Sequence, residues 1–328
     1  MKKKIFTYVP PKSAYELSLT MISLEEWSLV TISGIDSFRF LQGQLTIDLT
    51  KIKKNKHYQC AHCNSHGLMW SNLLLFYYND NLAWIERRSI HELQISALKK
   101  YAIFDDVTIS VNKSAILIGL AGHDAGKALK SIFSLLPNEQ NPVVHNNETT
   151  LLWFQQPSER FLIITNMDIL CKLEYEFKKY KLKFNNSNQW LTLDIQSGLP
   201  IIDINHCGKF IPQAANLEYL NAISFNKGCY IGQETIAKIK FRGINKRALY
   251  WLKGHTNLDI FKKNYSFQLF YQDKWENIKG TILAFCIMLN GEIWIQAILD
   301  KKIFKDNLLR FKEDKCSKLL VQELPYSL

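Results

Sequence analysis

A chain of 328 residues, 47% hydrophobic and 12% aromatic, has the composition of a folded globular protein and exceeds what one compact core usually fills, so two or three domains are expected. Seven cysteines, an odd number scattered over the whole chain, exclude a disulfide-stapled scaffold and fit reduced thiols in a reducing cytosol. The formal charge of +11 admits two readings, contact with RNA or another polyanion and the Lys-, Asn- and Ile-rich usage of an AT-rich genome; the run Lys51, Lys53, Lys54 and Lys56 has no aromatic platform beside it.

The Met-Lys-Lys-Lys start carries the charge of a signal peptide, but no apolar stretch of about 7–15 residues follows. The longest apolar run, near 282–289, is too short to span a membrane. The expectation is a soluble, cytoplasmic protein, with a monomer as the default state. Residues 29–32 read as a short strand, and Gly34 turns into a helix over 36–42 capped by Asp36 or Ser33, with Phe38 and Leu41 on one face. Residues 58–63, 67–78 and 82–86 look like antiparallel strands, with a hairpin turn at Asn79-Asp80-Asn81. Spacing makes 89–102 a helix with Ile90, Leu93, Ala97 and Leu98 on one side, and 107–111 returns as a strand.

A second unit follows: strand 115–120, helix 125–136, strands 151–154 and 161–165, helix 169–180 and strand 182–184. That is the βαββαβ order of a ferredoxin-like unit. A helix over 189–198 carries Trp190. Residues 199–244 show little periodicity, and a long irregular stretch in a compact protein is usually functional. From Arg247 onward, six short strands (249–253, 266–271, 278–287, 292–298, 308–311 and 318–322) predict a small closed β-barrel. The fold class is α+β, divided into 1–112 with 185–244, then 113–184, then 245–328.

The sharpest segment is Lys227-Gly228-Cys229-Tyr230-Ile231-Gly232-Gln233-Glu234, followed by Phe241-Arg242-Gly243. Glycines let the backbone turn or approach closely, and a helix starting near Gly232 would place Glu234 in its first turn. A tight strand-to-helix turn with Cys229 as a small buried hydrophobe explains the same letters. The segment closely resembles the signature of the folate-binding YgfZ family, relatives of the aminomethyltransferase (T-protein) of the glycine cleavage system. Stretches along the whole chain are similar too. They include Trp27 with Gly34-Ile35-Asp36-Ser37-Phe38, 40–48, 61–64, 69–73, 84–88, 99–101, 151–154, 159–162, 210–213, 246–248 and 324–327.

The resemblance implies a three-domain cloverleaf around a central channel that holds a folate, tetrahydrofolate or a derivative, with Trp27 and Trp190 in contact with it. Indole faces suit a flat pterin, although tryptophans are also ordinary core residues. It further implies an accessory role in modifying certain tRNAs and in maintaining iron–sulfur enzymes, so the tRNA-modifying enzymes themselves are expected partners and direct tRNA contact is left open. The T-protein carries an Asp-Asp pair where this chain has Ser71-Asn72. Neither Ser nor Asn ionises at neutral pH, so aminomethyl transfer is not expected unless another carboxylate such as Glu234 substitutes.

Cys229 is the candidate reactive thiol, with Lys227 placed to favour its thiolate. Cys60-Ala61-His62-Cys63 with His66 is half of a metal site without a second half, and in a strand Cys60 and Cys63 point to opposite faces, so no metal is expected. His206-Cys207 is adjacent in sequence only. Gly119 to Gly122 fails the dinucleotide fingerprint.

Overall fold

In the computed structural model, residues 5–258, 265–304 and 307–327 are described. The charged start at 1–4 lies outside them. Among the described residues the strands form three sheets, of five, six and seven strands.

The five-stranded sheet runs Tyr58–Cys63, Met69–Tyr78, Asn81–Arg87, Trp27–Ser33, Thr108–Val111, antiparallel throughout. Asn79 and Asp80 both take positive φ, 48° and 62°, the left-handed geometry that twists a two-residue hairpin correctly. Alternation splits the side chains of this sheet. On the front face, Trp27, Leu29, Leu74, Phe76, Ala83 and Ile85 join a core with Leu117, Leu152 and Leu162 of the next sheet. On the back face, Val30, Leu73, Leu75 and Trp84 pack on Leu41 of helix Ser37–Gln42 and on Ile95 and Leu98 of helix His91–Lys99. Asp36 stands at the cap position of the first of these helices without bonding its amides. Its carboxylate accepts from the Asp106 amide instead.

The helix after Ser89 is shorter than its spacing suggests and is turned differently. Leu93 is 40% exposed, while Gln94 is fully buried. A buried histidine decides this: the Gln94 amide lies 3.4 Å from His62 Nδ1 on the back of the sheet, so a polar residue occupies the inward position.

The six-stranded sheet is ordered Lys183–Asn185, Thr20–Ser23, Ile116–Ala121, Arg160–Thr165, Thr149–Phe154, Val143–Asn146. The strand–helix alternation of a ferredoxin-like unit is present. Two strands join it that the sequence pattern did not reveal: Val143–Asn146 at one edge and Thr20–Ser23 between Lys183–Asn185 and Ile116–Ala121. The helix expected to reach residue 136 stops at Lys130, where the Ser131 and Ile132 amides tighten to i→i−3 bonds with the Ala128 and Leu129 carbonyls.

The seven-stranded sheet begins at Arg247–His255 and ends at Asp314–Gln322, with one strand more than expected. A turn at Gln272 and Asp273, both at positive φ, separates Phe267–Tyr271 from an extra strand, Lys274–Ile278. This strand and Gly280–Ile287 are consecutive in the chain yet lie at opposite ends of the ladder, so the sheet curls round on itself as a barrel whose seam carries no strand pairing.

Helix Ser187–Gln196 sits where the three sheets meet. Asn186 caps it by accepting from the Asn188 amide. Trp190 and Leu193 belong to the core between the first two sheets, and Ile195 packs with Trp251, Cys286 and Trp294 of the barrel. Among the described residues no helix is long and apolar enough to cross a membrane.

Candidate functional site

Trp27 opens its strand at the edge of the front face, and Trp190 lies in the first half of the buried central helix. Together with Asn72 they line one cavity of about 50 Å³, whose walls also include Gln59, Phe154, Asp194 and the 199–201 segment. Trp190 fits against the second sheet because residue 119 is glycine. A Cβ there would lie 2.4 Å from the indole Cε3, well inside contact distance.

Each indole is covered by a guanidinium. Arg87 lies 4.5 Å from the Trp27 ring and Arg160 lies 4.3 Å from the Trp190 ring. Arg87 is held by Asp203, with Nε donating at 3.0 Å and Nη2 at 3.3 Å. Arg160, fully buried, donates to Asp194 at 2.8 Å and to the Gln156 carbonyl at 3.1 Å. Burial lifts the Asp194 carboxyl above its ordinary range, against the opposing pull of Arg160. On both arginines Nη1 is buried with no partner among the described residues. An orphaned buried donor costs about 1–3 kcal/mol; of the two arginines only Arg87 lines the cavity, so its Nη1 is the one that a bound acceptor could meet.

Asn72 is occupied: its amide donates to the Pro200 carbonyl at 2.8 Å and fixes the 199–201 wall. Glu86 is also part of the lining, but its carboxyl is held on the back of the sheet by Trp84 Nε1 and Ser71, where burial pushes it up to about 7.

The signature segment is elsewhere. Residues 227–234 and Arg242 do not line this cavity. Lys227 Nζ donates to the carbonyls of Gln42 at 2.6 Å, Leu45 at 2.8 Å and Ile47 at 2.7 Å. Its three N–H groups are thus engaged with main chain. The expectation that Lys227 serves Cys229 is not what the geometry favours. Tyr230 packs in the core with Ala61, Cys63 and Met69. Gly232, at φ 82°, approaches so closely that a Cβ would lie 2.5 Å from the Asn64 carbonyl oxygen. Gln233 turns back to accept from the Tyr230 amide. Gly228 and Cys229 are exposed. Helix Gln233–Arg242 starts as expected, and Glu234 in its first turn pairs with Lys238 at the surface.

Cys60 and Cys63 fall in two different cores, and burial pushes both thiols far up, which keeps them protonated. Among the described residues no group of three His, Cys, Asp or Glu is placed to hold a metal ion. The sequence reading missed Arg87, Arg160, Asp194 and Asp203. Arg160 directly follows Glu159 in a stretch already matched to the family, and a charged residue opening an apolar strand is the only local signal it offers.

Three sheets around a buried central helix, with tryptophans lining a cavity among them, define an aminomethyltransferase-like fold. The structure of the glycine cleavage system aminomethyltransferase T from Bartonella henselae superposes with a TM-score of 0.76 over 94% of this chain and 86% of that one, at 14% identity. The family model for the YgfZ beta-barrel domain matches residues 245–314. Over 98% of its length, the chain is 45% identical to the tRNA-modifying protein YgfZ of Yersinia enterocolitica (97% of that protein) and 44% identical to that of Pectobacterium carotovorum (96%). The chain belongs to the YgfZ family.

Proposed function

We propose that this protein is a cytoplasmic, folate-binding accessory factor for the modification of certain tRNAs and for the upkeep of the iron–sulfur enzymes involved. The names of its relatives support the link to tRNA. The observation that carries the folate reading is the convergence of Trp27 and Trp190 on one cavity, with Arg87 in its wall carrying a buried donor that has no partner among the described residues. Flat indole faces and the orphaned Arg87 N–H suit a pterin, which is planar and bears acceptor nitrogens and a carbonyl. Trp27, Trp190 and Arg87 are the residues that would hold it. The cavity of about 50 Å³ is far below the roughly 300–1,000 Å³ that encloses a drug-sized ligand, so binding requires the walls to part, with Arg87 leaving the Trp27 face.

A folate-dependent one-carbon transferase is the second reading, and the Asp194 carboxyl in the lining favours it. Asn72 and Glu234 weigh against it, since one is neutral and bonded to Pro200 and the other lies outside the cavity. Titration with tetrahydrofolate, followed by tryptophan emission, tests the binding. With eight tryptophans in the chain, the decisive comparison is with Trp190→Ala. Weaker binding by the variant is expected; equal affinity would remove Trp190 from the site. Formaldehyde production from an aminomethyl donor would select the second reading.

A further inference from the structure

The charge of +11 is not spread evenly. Helix Gln233–Arg242 and the turn after it carry Arg242, Lys246 and Arg247, all exposed, and the Lys301 amide bonds the Lys246 carbonyl at 2.9 Å, which brings exposed Lys301 and Lys302 alongside. Lys238 and Lys240 on the same helix are paired with Glu234 and Glu218. Among the described residues no carboxylate pairs with the other cations of this group.

In their midst Phe241 is 77% exposed, an unusual exposure for so large an apolar ring. Its ring meets Phe225 edge-on, with centroids 6.1 Å apart, and leaves most of its surface to solvent. Beside it lies a hollow of about 210 Å³ whose walls include Gln213, Tyr219, Asn245, Lys301 and the Lys240–Glu218 ion pair. Gln213 is buried, and its Oε1 has no partner among the described residues while its amide donates to the Ile236 carbonyl. The wall of the hollow thus carries an unpaired buried acceptor and one cation, Lys301, that no carboxylate pairs among the described residues, so it suits a ligand that brings both a donor and a negative charge.

We propose that this surface binds single-stranded RNA directly, with Arg242, Lys246, Arg247, Lys301 and Lys302 on the phosphates, Phe241 stacking on a base, and Gln213 accepting from a base amine or ribose hydroxyl in the hollow. Cations alone would suit any polyanion. The exposed ring and the orphan acceptor are what favour nucleic acid over an acidic protein. The surface extends the tRNA-related reading above and does not depend on folate, because it shares no residue with the Trp27 cavity.

The test uses the full chain, a fluorescein-labelled single-stranded RNA and an unmodified tRNA transcript, with anisotropy read over a range of KCl concentrations. With these cations engaged, log Kd should rise with log salt at a slope of about 3.5, roughly 0.7 per phosphate contacted. Arg242→Gln with Arg247→Gln should lower that slope by about 1.4. Phe241→Ala should weaken binding by about 5- to 100-fold at every salt concentration, with Phe241→Trp restoring it. Lys113→Gln, in the remote groove beside helix His91–Lys99, should bind like the wild type. An unchanged slope in the double variant, or undiminished affinity in Phe241→Ala, would overturn the assignment. So would poly-glutamate competing as well as RNA, which would mean plain polyanion attraction. A Phe241→Ala protein that loses RNA yet keeps its response to tetrahydrofolate separates this proposal from the folate reading.

Discussion

Glu86 offers the most quantitative handle on this structure. It is 2% exposed on the back of the five-stranded sheet, its Oε1 accepts from Trp84 Nε1 at 3.0 Å, and its Oε2 has no partner in a normal bond among the described residues. Burial raises the carboxyl from 4.5 to about 7, and the bonds from Trp84 and Ser71 only partly offset that. A raised carboxyl means that the folded state holds the proton more tightly than the unfolded chain. Its contribution to stability is fully present below about pH 4.5 and is lost as the pH rises through about 7. At about 1.4 kcal/mol per pH unit the loss is about 3 kcal/mol. His62, nearby on the same face and depressed to about 3 by burial, acts in the opposite sense, strengthening the fold as the pH climbs toward 6.5. The two trends overlap, so the wild-type profile alone is ambiguous. The difference between Glu86→Gln and the wild type cancels His62. Gln keeps an acceptor for Trp84 and cannot ionise. In urea unfolding followed by circular dichroism, the variant should gain about 3 kcal/mol on the wild type between pH 4.5 and pH 8. Parallel stability curves would refute the reasoning, and so would a gain in the opposite direction.

Three further outcomes follow from single contacts. Asp194→Asn leaves the Arg160 guanidinium buried without its countercharge and should cost about 3–5 kcal/mol of stability, read by urea unfolding, while Arg160→Met with Asp194→Leu should recover much of it. Gly119→Ala drives a methyl to 2.4 Å from the Trp190 ring, so it should cost about 1–3 kcal/mol and alter the emission of that tryptophan. Lys227→Met leaves three carbonyls without their donor and should cost about 2–4 kcal/mol, yet in a Cys171→Ser, Cys316→Ser background it should leave the alkylation rate of Cys229 unchanged, since the ammonium is bonded to residues 42–47.

What the sequence disclosed and what it hid divide along physical lines. The strands of the five-stranded sheet, covered on both faces, were legible as apolar runs bounded by turn residues such as Asn79 and Asp80, a pattern that is local. The strand Thr20–Ser23 gave no such sign. It is short, buried on both faces, and its neighbours, Ile118 to Ala121 and Lys183 to Asn185, are remote in sequence. Leu93 and Gln94 misled for a related reason: periodicity sees hydrophobicity, and the inward place went to an amide because a buried imidazole needed a partner. Trp27, Asn72 and Trp190 were reachable through the family's motifs. The arginines over the indoles lie in matched stretches too, 84–88 and 159–162, but their place over the rings was not legible there, since Arg87–Asp203 and Arg160–Asp194 are pairs made only by the tertiary fold.

The same division applies to the signature segment, whose letters serve different ends. Lys227 ties its turn to the 42–47 loop, Tyr230 fills a core, and Gly232 lets the backbone lie against Asn64 and Gly67. Each of those roles would be disturbed by almost any replacement, and none needs a ligand. Cys229 is different. It is held at the surface by a turn braced on both sides, with no packing task of its own to explain a thiol there. A framework this costly to alter around one exposed sulfur makes sense if the sulfur meets something outside the chain. Cys229→Ser should therefore leave the urea midpoint within experimental error of the wild type while abolishing tRNA modification in cells that depend on this protein. A stable Ser variant that still supports modification would reduce the segment to scaffolding alone.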